Sequence, residues 1–405
     1  MNDQLNKQFY KLTIFILLLI LIFLFRNEAP ILEKVGNYVS AIIIIVGFPF
    51  LIYRKIVNQT QIFSKDLGFL NVFWTITTIW MFLVPFIFYN YNLNALAFYD
   101  GMVQDYRYVL LYYFAFIFAT SSMTIYYDKL FKIILYASLI AGIVSFIMVD
   151  KSFSTIARRE GAWSIPYYLW WVLYCGVGYW FLKSFFEGKT KIGYYLVILY
   201  LIISLFFLKR SGIVNILILV ALGFIFHNDK KRSLIFLSVL SLFITIIIFY
   251  FNDLFNLIFA RFDDTAGNLE EWDRNLEIDE FFDKTTTFQL TTGFGINNYL
   301  KMNYIGEADS PLNSLHLGFY NIFYKGGVLY FLFTFTLSVY IIKLWKYIHK
   351  DIEIKIGFVL GILFILVHSY EGGWSYFPEH FFTLIPIFRA IDLASIYKKN
   401  KSLYA

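Results

Sequence analysis

Histidine and arginine carry the chemistry that can be read from this 405-residue chain. His316 stands at the close of a polar stretch, roughly 253 to 315, and ten positions ahead of Gly326. Its imidazole is the side chain best suited to exchanging a proton near neutral pH. Arg210 sits in the short hinge Lys209-Arg210-Ser211-Gly212 between two apolar runs, and Arg274 lies inside the polar stretch. Arg158 and Arg159, just before Gly161, form a second rank of cations together with Arg261. A guanidinium stays protonated and forks onto phosphate oxygens, so arginines gathered at one face point to a bound phosphate or diphosphate. The plain alternative is that they pair with loop acids or reach out to lipid headgroups. A lone histidine at a helix start is also more often structural than catalytic, and here its company favours function.

Other candidates are weaker. Gly293-Phe294-Gly295 marks a tight backbone turn, and two glycines are a slight signal for a phosphate cradle, so Gly293 and Gly295 rank as candidate substrate-binding positions. Asp263-Asp264 reads as solvated loop, and no metal set or cofactor motif stands out. The single cysteine, Cys175, falls in an apolar run, which excludes an internal disulfide and reads as core.

These groups must be positioned by membrane helices. With 59% hydrophobic, 22% aromatic and 15% charged residues, the chain holds more apolar surface than a water-soluble core can hide. Apolar runs of membrane-crossing length recur at 12–25, 39–53, 69–89, 108–126, 130–149, 167–182, 192–208, 213–226, 234–251, 317–344, 354–368 and 377–395. The expected fold is therefore all-α: a single polytopic membrane domain over residues 1–405, about twelve spans, with the 253–315 loop inserted between two of them. Sorting the cations onto alternate sides gathers most lysines on one side, which the positive-inside rule makes cytoplasmic together with both termini. The long loop then faces outward, and arginine supplies more than half of the cations on that side. Lysines facing anionic lipid account for the net charge of +6, so nucleic acid is not an expected partner.

Within the loop, Asn268 followed by Glu271 reads as a capping box opening a surface helix with Leu269, Trp272 and Leu276 as its apolar stripe.

Taken in order, Arg210 after a span, Arg274 in a large outer loop, the Gly-Phe-Gly turn, and His316 with Gly326 and Gly327 following, the chain resembles the O-antigen ligase and polymerase superfamily of bacterial inner membranes. Arg158 to Gly161 is similar to a short arginine and glycine motif of that family, while Leu317 stands where the family has asparagine. The layout matches along the whole chain, and the motifs match only from about 205 to 330. The resemblance implies a helical glycosyltransferase fold of the membrane (GT-C-like) class and a donor glycan on undecaprenyl diphosphate. Arg210 and Arg274 would hold the diphosphate and His316 would activate the acceptor hydroxyl, without metal or cofactor. Expected partners are the lipid-linked oligosaccharide as donor and acceptor, membrane lipid, and a chain-length regulator and flippase of the same pathway. The expected location is the bacterial cytoplasmic membrane, with the loop periplasmic or extracellular. Polymerase is the leading reading; a ligase acting on lipid A core and a lipid-linked oligosaccharide flippase are the alternatives. Spans nearly free of charge argue against a transport path.

Overall fold

The computed structural model describes residues 64–88, 164–206, 210–227, 274–295, 300–304, 307–312, 318–370 and 378–403, with isolated positions between 112 and 139 and Ser238. In chain order the helices are α1 (Lys65–Phe88), α2 (Ser164–Phe186), α3 (Thr190–Phe206), α4 (Arg210–Ile225), α5 (Arg274–Lys284) and α6 (Thr287–Thr292). A two-stranded antiparallel hairpin follows, β1 (Leu300–Tyr304) and β2 (Glu307–Leu312), and then α7 (Gly318–Lys343), α8 (Ile352–Tyr370) and α9 (Pro378–Leu403). A 3-10 turn, Leu344–Tyr347, extends α7.

Helix dominates, as the apolar runs require, because a backbone crossing lipid must satisfy its own hydrogen bonds. Among the described residues, Lys65–Phe88 and Phe319–Tyr347 are long and apolar enough to cross a membrane. The 24 residues of α1 extend about 36 Å at the usual helical rise, more than a hydrocarbon layer of about 30 Å. The helices fall on the runs read from the sequence at 69–89, 167–182, 192–208, 213–226, 317–344, 354–368 and 377–395. The runs at 12–25 and 39–53 lie outside the described residues, as does 234–251 apart from Ser238. The hairpin is an element that the sequence pattern did not announce; its register sets Leu300 against Leu312 and Lys301 against Pro311.

Aromatic rings fill the core. Trp74 of α1 stacks on Tyr112 at 4.3 Å and meets Tyr330 of α7 edge-on at 5.7 Å. Phe116 lies flat on Phe388 of α9 at 4.1 Å, and Phe131 on Tyr179 of α2 at the same distance. Large rigid rings bury much surface at little entropic cost. α1 and α7 run antiparallel: Phe69 pairs with Tyr340 and Phe73 with Phe333, while Met81 lies beside Gly326.

One end of the bundle is tied by charge. Arg389 of α9 is 2% exposed, and its Nε donates to Glu353 of α8 at 2.9 Å. The neighbouring Asp392 accepts from the amide of Ser64, just before α1, at 3.3 Å. Lys183 pairs with Asp128, and buried Lys355 lies over the Phe186 ring at 4.6 Å. Arg389 falls inside the 377–395 run, so sorting cations by loop assigns it to neither side; burial explains its place, since a charge there must be paired.

Candidate functional site

The opposite end of the bundle holds the Gly293-Phe294-Gly295 turn, and it is built around a break in α7. Gly327 adopts φ 58° and ψ −147°, a backbone state open essentially to glycine alone, so α7 consists of two helical pieces. Such a break leaves the carbonyls just before it without their i+4 amides. The Gly293-Phe294-Gly295 turn supplies replacements. The Phe294 amide donates to the Tyr324 carbonyl at 2.7 Å, and the Gly295 amide to the Lys325 carbonyl at 2.9 Å. The third amide, of Gly293, closes α6 by donating to Gln289 at 2.8 Å.

Local sequence explains how the turn arrives there. In α5, Glu280 and Lys284 pair at 2.6 Å one helical turn apart, and Phe281 is buried. α6 opens with a reciprocal capping box. Thr286 Oγ1 accepts from the Gln289 amide at 3.2 Å, and Gln289 Oε1 accepts from the Thr286 amide at 2.9 Å. Gly293, with φ 75° and ψ 177°, then turns the chain onto α7. Phe294 stacks on Tyr324 at 5.1 Å with Phe281 against both, a small core separate from the main one. Trp80 of α1 fastens the assembly by donating from Nε1 to the Thr292 carbonyl at 2.9 Å. Glycine is required at the contact itself: a Cβ on Gly295 would strike the Met81 carbonyl at 2.6 Å and the Pro85 ring.

The arginines take related positions. Arg210 is the first residue of α4 and Arg274 the first of α5. α4 runs toward the charge-tied end, where His227 Nε2 meets the Phe185 carbonyl at 3.1 Å and Phe226 meets Trp345 at 5.6 Å. Its start, with Arg210, is therefore at the end where α7 begins. α5 reaches the same end through Phe281, Phe294 and Tyr324.

His316 lies two positions before α7 and outside the described residues, as do Arg158, Arg159 and Arg261. Of the helix expected from Asn268, the described part is Arg274–Lys284, and 268–273 lie outside the described residues. The glycines expected as a phosphate cradle are placed differently in kind: the amides of their turn face protein carbonyls. Three further residues shape this end. Lys325 is 3% exposed with its Nζ 5.5 Å from the Tyr324 ring, Asn321 is fully buried, and Trp80 holds the turn. Thr286 and Gln289, three apart, were the one available signal for α6.

Set against known proteins, the chain matches no family model and no curated protein.

Proposed function

We propose that this chain is an integral-membrane glycosyltransferase that polymerises oligosaccharide repeat units carried on undecaprenyl diphosphate. In this reading it has twelve spans, both termini in the cytoplasm, and the 253–315 loop on the outer face of the bacterial cytoplasmic membrane. The observation that carries the reading is that Arg210 and Arg274 are the first described residues of two helices at the end of the bundle where the described part of α7 begins, two positions after His316. Two guanidinium groups on those helices would suit a multiply charged anion at the edge of an apolar bundle. A lipid-linked diphosphate is such an anion, with a tail that needs lipid.

The step follows from the groups. An acceptor hydroxyl attacks the anomeric carbon of the donor from the face opposite the diphosphate. The new carbon–oxygen bond forms as the bond to the phosphate oxygen breaks, with inversion at that carbon. His316 takes the hydroxyl proton, which arginine cannot do. Arg210 and Arg274 stabilise the negative charge that grows on the departing undecaprenyl diphosphate. The closure of the glycine turn on α7 sets the height and direction of the helix that His316 precedes.

The test is to express wild type and His316→Ala in a host making one defined lipid-linked repeat, and to resolve the lipid-linked glycans on a gel. A ladder with wild type that is lost in the inserted variant supports the reading. Single repeats transferred to lipid A core would replace polymerase by ligase. An unchanged pool on both counts would replace enzyme by transporter.

A further inference from the structure

Four phenylalanines near the α7 break have no place in the chemistry above. Phe282 of α5 is 44% exposed, Phe288 of α6 53%, Phe319 at the start of α7 43%, and Phe88 at the end of α1 39%. They are connected to the ends of the two membrane-length helices. Phe288 meets Phe88 edge-on at 5.0 Å, and Phe282 meets Tyr320 edge-on at 5.6 Å, with Phe319 beside Tyr320 at 5.7 Å. α1 presents lipid-compatible side chains just inside its end, Leu83, Phe86 and Ile87, and α7 presents Val328 and Leu332 beyond its break. Polar side chains, Asp279, Asp283 and Thr287, are exposed on the same two short helices.

We infer that α5 and α6 lie in the boundary between lipid headgroups and acyl chains, with Phe282 and Phe288 immersed in the leaflet and Asp283 and Thr287 turned to water. The occupant of this apolar face is the bilayer itself, because the face continues from Phe86, Ile87 and Phe88 at the end of α1 directly onto Phe288. A membrane-length helix ends where hydrocarbon gives way to headgroup, and rings packed against its last residue lie at that depth. Isolated exposed phenylalanines need no explanation in a soluble protein, but four gathered at the ends of two such helices do. The arrangement fixes the Gly293–Gly295 turn, and with it the α7 break, at a set depth. The inference rests on membrane insertion alone and not on the enzyme reading.

Nitroxide labels test it on the full chain in phosphatidylethanolamine and phosphatidylglycerol vesicles. Cys175 is buried and shares a hydrogen bond with Thr383, so Cys175→Ser provides a background without a labelled thiol. Labels at Phe282→Cys and Phe288→Cys should relax with oxygen, which concentrates in lipid, far more than with a water-soluble nickel chelate. Labels at Asp283→Cys and Thr287→Cys should show the reverse. Chelate access at all four positions would overturn the inference, as would shielding of 282 and 288 from both agents, which would mean protein covers them. A fluorophore on Asp283→Cys with both phenylalanines intact guards against damage by the substitutions. Quenching by headgroup-labelled lipid is expected, and its absence would overturn the inference too. No sugar substrate enters these measurements, so their failure is separate from failure of the glycosyltransferase reading.

Discussion

Gly293 and Gly327 meet backbone to backbone: a Cβ on Gly293 would lie 2.6 Å from the Gly327 nitrogen. Both residues occupy glycine-only regions of backbone space, and each is needed for the other's approach. The contact joins the long polar loop to the broken helix at one point.

Alanine at either position should therefore fail twice, by strain and by collision. Backbone strain alone costs about 1–3 kcal/mol, and a Cβ on Gly327 would also strike the Thr291 carbonyl. Gly293→Ala and Gly327→Ala should lower the thermal unfolding midpoint of the detergent-solubilised protein. An unchanged midpoint in both would contradict the contact.

Trp80→Phe keeps an aromatic ring beside Phe88 while removing the hydrogen bond to Thr292. Loss of one donor to a buried carbonyl costs about 1–3 kcal/mol. The variant should insert normally and unfold at a lower temperature, and protease should cut near 285–295 sooner than in wild type. Equal protection of that segment would show that the bond does not hold the loop.

Arg389→Leu removes the buried partner on α9 that Glu353 holds at 2.9 Å. Breaking a buried pair on one side costs about 3–5 kcal/mol. The double variant Arg389→Leu with Glu353→Leu should recover part of that loss in a stability assay. A double variant no better than the single one would remove the electrostatic account.

Arg274→Lys keeps the charge but loses the planar fork. If the guanidinium grips a diphosphate at the α5 start, polymerisation in the glycan-ladder assay should fall at least tenfold while expression holds. A full ladder would count against a diphosphate clamp.

Legibility followed the range of the interactions. The apolar runs at 69–89 and 317–344 gave α1 and α7 to within a few residues, because helix in lipid is dictated by local composition. The reach of Gly293-Phe294-Gly295 across to Tyr324 and Lys325 was not legible, since the two segments lie thirty positions apart. A Gly-x-Gly spacing looks the same whether its amides face phosphate or protein. The hairpin at 300–312 was also missed, and Pro311 within β2 argues against a strand on local grounds.

By itself the sequence determined a helical chain with membrane-length spans, and it named the arginines, the histidine and the glycines on which any chemistry here would turn. Those are properties of composition and residue type. Only the tertiary structure decided that α7 breaks at Gly327, that the loop's amides satisfy the carbonyls exposed by that break, and that the described parts of the helices carrying Arg210 and Arg274 begin at one end of the bundle. Each of these depends on which distant segments come together, and that is set by packing of the whole bundle around Trp74, Tyr112 and Tyr330.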